Sequence, residues 1–188
     1  MNPLAPAAPQ PTLRTPRLSL RPFHPGDAPR VRELAGDFEI ADGTLTIPHP
    51  YPEGAAESWI ATLGPAWERG ESVVMAMVPH GESLPAGAVG LEISRAHRRG
   101  ELGYWVGRPF WGRGLGTEAA RAVAALALGE LGLQRVTAHH LSRNPASGAV
   151  MRKLGMRHEG TLRRHILKWD ELEDVEVYGL LPGELREG

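Results

Sequence analysis

Apolar and polar residues alternate over residues 17–23, with Leu18 and Leu20 on one side, and this predicts a first strand. Pro25-Gly-Asp-Ala-Pro29 then starts a helix running to about Asp37. Residues 38–52 hold Gly, Thr and three prolines and read as a loop, of a length that is uncommon without a binding role. Residues 53–63 are helical in pattern, with Trp59 and Leu63 on one face. Pro65 is expected to break or restart that helix, leaving Trp67 to pack from the following turn. Strands at 72–78 and 86–94 flank the turn-rich residues 79–85, and a fourth strand at 98–106 is stopped by Pro109. A long alanine-rich helix (117–131), a strand (135–140), a helix (146–154) and two strands at about 157–168 and 174–181 complete the chain. An antiparallel meander, then βαβα, then a hairpin predicts an α+β fold with a mixed, mostly antiparallel sheet. Residues 1–12, rich in Pro and Ala, read as a disordered or extended tail. Residues 13–182 read as one domain, and 183–188 as a C-terminal tail.

Composition narrows the function by exclusion. The chain has 188 residues, a formal net charge of −1 and no cysteine. Without a basic block, no nucleic-acid footprint is visible. Without cysteine there is no disulfide, thiolate metal site or cysteine nucleophile. Eight scattered histidines do not suggest a metal centre. No apolar run approaches membrane-spanning length and no charged-then-apolar leader opens the chain, so no membrane partner is expected and the cytoplasm is the expected location.

The densest chemical signal is Trp111-Gly-Arg-Gly-Leu-Gly-Thr-Glu-Ala119, which lies between the strand ending at Val106 and the long helix. Glycines let a backbone approach a ligand closely, and the first N–H groups of a helix lack intrahelical partners. Strand, glycine turn and helix N-terminus together make an anion site suited to phosphate. A P-loop would need a lysine after the glycines, and none is present. The dinucleotide fingerprint needs Gly-x-Gly-x-x-Gly, whereas the spacing Gly112-x-Gly114-x-Gly116 is one residue short, and the strand at 135–140 ends without the acid that would hold a ribose.

The third phosphate-binding possibility is an acyl-CoA site. Phe110 to Ala119 resembles the Tyr/Phe-Trp-Gly-x-Gly-x-Gly/Ala-Thr-Glu-Ala run of GNAT acetyltransferases of the ribosomal-protein N-terminal type. Asn144-Pro-Ala-Ser147, followed by Lys153-Leu-Gly-Met156, is similar to that branch's Asn-x-x-Ser and Lys-Leu-Gly-Phe. Leu13 to Pro22 and Asp174 to Leu181 resemble its opening and closing strands. The likeness spans about residues 13–182. It implies a GNAT fold with helices on both sheet faces, whose fourth and fifth strands splay apart at a bulge to admit the pantetheine arm of acetyl-CoA. The arm would bond the backbone of Tyr104, Trp105 and Val106. The pyrophosphate would fall on the N–H groups of Gly112, Arg113, Gly114, Leu115, Gly116 and Thr117, within reach of the Thr117 hydroxyl. Asn144 would both cap the following helix and bond the arm.

Acetyl transfer requires a neutral amine and a stabilised leaving thiolate. An N-terminal α-amine, with pKa about 7.7–8.0, is roughly a tenth neutral at pH 7, while a lysine amine near 10.4 is neutral less than about 0.1% of the time. The first needs only a weak base. The tyrosine that many superfamily members use as acid is replaced here by Met151, and the resemblance implicates Ser147 at the CoA sulfur instead. Glu101 and Glu92 flank the expected cleft as candidate general bases. His139 and His140 are adjacent, so they face opposite sides of a strand and cannot share a metal; one could line the cleft. His165 stands near the expected substrate mouth. The acceptor would be a protein N-terminus of the ribosomal type, met by acidic residues among Glu53, Glu57, Glu68, Glu71, Asp170, Glu171, Glu173 and Asp174. A small-molecule amine, or a module that binds acyl-CoA with little turnover, are the alternatives. Family habit implies a homodimer.

Overall fold

A computed structural model describes residues 9–187. Eight strands form one sheet in the order β1-β2-β3-β4-β5-β6-β8-β7. The strands are β1 (Leu13–Arg14), β2 (Leu18–Pro22), β3 (Ser72–Pro79), β4 (Gly87–Ser94), β5 (Arg99–Val106), β6 (Arg135–Leu141), β7 (Arg157–Lys168) and β8 (Glu171–Leu180). All neighbours are antiparallel except β5 and β6, which run parallel. The short β1 adds one strand to the expected count, so the pair expected to splay is β5 and β6. The helices are α1 (Ala28–Ala35), α2 (Phe38–Gly43), α3 (Ala55–Glu68), α4 (Leu115–Leu128) and α5 (Pro145–Leu154).

Alternation along each strand sorts the side chains between two layers. Val73, Met75 and Met77 of β3, Val89 and Leu91 of β4, and Leu102 of β5 pack with Ala119, Ala120, Val123 and Ala127 of α4 and with Met151 and Leu154 of α5. On the other face Trp105 of β5 packs against a smaller cluster built from Ala28, Val31 and Ala35 of α1 and Ala56 and Ile60 of α3. The alanine-rich face of α4 lets that helix lie close to the sheet, which is why so many of its residues are fully buried.

Three local expectations are corrected. Part of the expected 38–52 loop is α2, because Asp37 caps it by accepting from the Glu39 amide at 2.9 Å, and Ile40 and Ala41 become buried. Pro65 does not break α3, which runs on to Glu68. Gly64 before it carries no Cβ to clash with the proline ring, and burial of Trp67 in the main core favours the last turn. The long helix begins at Leu115 and ends at Leu128, with Gly129 beyond it, rather than spanning 117–131. Residues 1–8 of the expected N-terminal tail lie outside the described residues; within the rest of it, the Gln10 side chain donates to the Val74 carbonyl at 2.8 Å. Residues 183–187 run back over the end of α5, where the Arg186 amide donates to the Leu154 carbonyl at 2.9 Å.

Candidate active site

The site is built on a split in the sheet. β5 and β6 pair at only three positions, Arg99 with Arg135, Gly100 with Val136 and Glu101 with Thr137. Beyond them β6 stays paired with β8 and β5 with β4, so residues 102–106 of β5 have no strand on the β6 side. An open strand edge offers backbone groups to an extended ligand. The β4–β5 register is continuous from Gly87–Val106 to Ser94–Arg99, so the divergence arises without the expected bulge. Tyr104 and Val106 face α4, and Trp105 faces α1 and α3. The Trp111 indole donates to the Val106 carbonyl at 2.5 Å, so that one acceptor on the edge is already engaged.

The glycine turn sits at the open end of the split. Gly112 and Gly114 adopt φ of 72° and 74°, a left-handed conformation that favours glycine, and Gly114 is the residue from which α4 starts. Gly116 serves differently: a Cβ there would come within 3.3 Å of Val106 Cγ2, so its absence lets the helix start sit against the strand. The free N–H groups of the first turn and the positive end of the helix dipole suit a phosphate. The Arg113 side chain turns back, donating to the Pro109 carbonyl at 2.9 Å and stacking over the Phe110 ring, while Thr117 is nine-tenths buried. Glu118 braces the turn from behind. It accepts from Thr15 at 2.6 Å and from Arg17 Nε at 2.6 Å, while Arg17 Nη1 donates to the Arg113 carbonyl. Burial pushes the Glu118 carboxyl up, but the Thr15 and Arg17 bonds outweigh it and hold it below its ordinary value. Arg17 is a site residue that sequence reasoning misses, since nothing local to it marks a partner 101 positions away.

Asn144 and Ser147 stand across the split on the start of α5. Asn144 Oδ1 accepts from the Ser147 amide at 3.2 Å as a helix cap, and its Nδ2 donates to the Gly43 carbonyl at 2.9 Å. Its side chain thus ties α5 to α2, a link the sequence does not announce. Ser147 Oγ lies 2.8 Å from the Tyr104 hydroxyl, which also reaches the Ser147 carbonyl at 3.0 Å. Burial pushes the Tyr104 phenol up to about 12, against a smaller opposing pull from Ser147. Met151 is buried in the core.

On the opposite face, Ser72, Glu92, Glu101 and Thr137 stand in register across β3, β4, β5 and β6. They floor a cavity of about 420 Å³ that Glu71 and Arg99 also line. Glu101 Oε1 is 3.0 Å from His139 Nδ1. A carboxylate only accepts, so Nδ1 carries a proton in this contact, and in the neutral ring the lone pair lies on Nε2. This bond, against an opposing effect of burial, holds the Glu101 carboxyl below its ordinary value. Glu92, Glu101 and His139 are therefore brought together. His140 points the other way, into the layer under α5, with its Nδ1 2.8 Å from the Leu141 carbonyl. His165 lines a separate cavity with Thr161, Arg164 and Asp174, beside the register shift of β7.

No helix among the described residues is long and apolar enough to cross a membrane. The acetyltransferase (GNAT) domain family matches residues 17–157. The Bacillus subtilis protein named "Putative ribosomal N-acetyltransferase YdaF" is 29% identical over 171 residues, covering 89% of this chain and 92% of its own. The Aspergillus fumigatus FsC-acetyl coenzyme A-N(2)-transacetylase is 32% identical, covering 81% of this chain and 67% of its own. The structure of Mycobacterium smegmatis RimJ with CoA-disulfide shares the fold with a TM-score of 0.83 at 22% identity, covering 95% of this chain and 91% of that one. The split sheet, the glycine turn at the head of α4 and the family match lead to one assignment: the chain belongs to the GNAT acetyltransferases and is an acyltransferase that takes its acyl group from acetyl-CoA.

Proposed function

We propose that this enzyme acetylates a primary amine by direct attack in a ternary complex, and that the amine is a protein N-terminal α-amine of the ribosomal-protein type. One observation carries the reading: proton-handling groups stand on opposite faces of the sheet at the split, Glu101 with His139 on one and Ser147 on the other. When bound, acetyl-CoA supplies an activated acyl group with a thiol leaving group of ordinary pKa about 8.5. The amides of 112–117 hold the pyrophosphate, the free edge at 104–106 holds the arm, and Asn144 sets the start of α5 beside it. The amine enters from the cavity that Glu92 and Glu101 floor, where two carboxylates favour a cationic acceptor. Glu101 fixes the His139 ring so that Nε2 takes the amine proton, directly or through a water. Ser147 donates a hydrogen bond to the sulfur as negative charge gathers there. It stabilises the thiolate without surrendering its proton, because a hydroxyl is far less acidic than a thiol.

An α-amine suits this modest base, and the similarity to YdaF supports a ribosomal acceptor. The similarity to the FsC-acetyl coenzyme A-N(2)-transacetylase, whose name gives a numbered nitrogen and not a protein N-terminus, favours a second reading, a small-molecule amine. CoA release should be followed with acetyl-CoA and a panel of acceptors: peptides with free or blocked α-amines, polyamines and amino acids. Turnover confined to peptides with free α-amines is the expected result. Turnover of small amines alone would establish the second reading, and none with any amine would leave an acyl-CoA-binding module. The homodimer belongs to the same proposal, and light scattering should return twice the chain mass of 20.4 kDa.

A further inference from the structure

Tyr104 lies on the stretch of β5 that has no β6 partner, and its ring crosses from that strand to the start of α5. A Cβ on Gly116 would be 3.9 Å from its ring, so the phenol passes beneath the first turn of α4 on the way. At its far end three oxygens share two protons: the Tyr104 hydroxyl, Ser147 Oγ and the Ser147 carbonyl. Only two arrangements use both protons well. In the first, the phenol donates to the carbonyl at 3.0 Å and the serine hydroxyl donates back to the phenol oxygen at 2.8 Å, so the serine proton is spent inside the cluster. In the second, the phenol donates to Ser147 Oγ and the serine proton is released to point elsewhere. A hydroxyl that accepts a hydrogen bond also becomes a better donor.

We propose that Tyr104 is a positioning residue for Ser147: its phenol proton switches from the Ser147 carbonyl to Ser147 Oγ and thereby turns the serine proton onto the departing sulfur. The proposal rests on the reading of Ser147 given above. No proton leaves either hydroxyl. The nitrogen–carbon bond forms, the carbon–sulfur bond breaks with its electron pair left on sulfur, and the amine proton goes to the His139 side of the sheet. The high pKa of the half-buried phenol keeps it protonated over the working range, so it acts as a fixed donor and not as the acid itself.

The test uses free CoA bound to the intact protein and follows the ultraviolet absorbance of its thiolate against pH in wild type, Tyr104→Phe, Ser147→Ala and the double variant. The acid constant of the bound thiol should fall by about three- to tenfold in each single variant, the worth of one hydrogen bond. It should fall no further in the double variant, because both residues act through one proton. Ser147→Thr, which keeps a hydroxyl, should retain the wild-type value when Tyr104 is present and lose it when combined with Tyr104→Phe. In acetyl transfer, Tyr104→Phe should lower kcat and leave KM for acetyl-CoA unchanged. A wild-type titration in Tyr104→Phe, additive losses in the double variant, or a change in KM alone would each overturn the proposal. A low thiol pKa in a protein that acetylates no amine would sink the acceptor reading and leave this one standing. Failure of CoA to bind would sink both.

Discussion

His140 and Gly148 show how tightly single residues are fixed under α5. A Cβ on Gly148 would stand 2.7 Å from His140 Nε2 and 3.1 Å from Arg152 Nη1, and the His140 ring is itself held by its contact with Tyr178. Alanine has the better helix propensity by about 1 kcal/mol. Crowding should nevertheless win, and Gly148→Ala should destabilise the protein by about 1–3 kcal/mol in urea unfolding. A stabilised variant would show that the layer under α5 yields. The same scale governs Glu101. Glu101→Gln keeps an acceptor for His139 Nδ1 but removes the charge that holds the ring, so kcat should drop about ten- to a hundredfold with KM for acetyl-CoA unchanged. Steady-state kinetics at saturating amine would check this, and full activity would remove Glu101 from the chemistry. In the sequence Glu101 is one carboxylate among many on strands, and what distinguishes it is a histidine 38 positions away.

Elements meet the site through their ends. α5 begins at Asn144, whose side chain caps the helix and also holds the Gly43 carbonyl at the end of α2. Arg143 beside it pairs with Asp42 of α2 and Glu173 of β8, and Asp42 also accepts from the Trp169 indole at the tip of the final hairpin. Three elements distant in sequence are therefore fastened at one point next to the split. Asn144→Ala should cost about 1 kcal/mol for the cap alone. That lowers the melting temperature by roughly 2–4 °C in a chain of this size. Calorimetry checks it, and an unchanged melting temperature would mean that the cap is replaceable. The cap is readable, since Asn-Pro before an apolar run is a helix start. The link to α2 is not, because the pattern over 38–52 reads as loop: six residues bounded by glycines and prolines carry too little periodicity to reveal a helix that is set by burial of Ile40 and Ala41.

Across the whole molecule, ion pairs set the response to acid. Burial pushes the Asp27 carboxyl up, but Arg21, bonded to both of its oxygens at 2.7 and 2.8 Å, outweighs it and holds it below its ordinary value. Bonds from Ser142, Thr161 and His158 bring Glu176 down to about 2, and Asp42 is lowered chiefly by Arg143. Each group is more acidic folded than unfolded. The stability it adds is fully present above the unfolded value near 4, and is lost as pH falls through the folded one. Urea midpoints should therefore stay level from neutral pH to about 5 and fall steeply below about 4. A midpoint that rose on acidification would contradict these pairings. The sequence by itself determined seven of the eight strands and four of the five helices in order, the glycine turn and the capped α5, because those follow from periodicity, backbone freedom and a local hydrogen bond. Only the tertiary structure decided where β5 and β6 part, that Glu101 meets His139, and that Tyr104 reaches Ser147. These depend on which strand each edge pairs with and on side chains that meet across 38 and 43 residues, and no local pattern encodes such meetings.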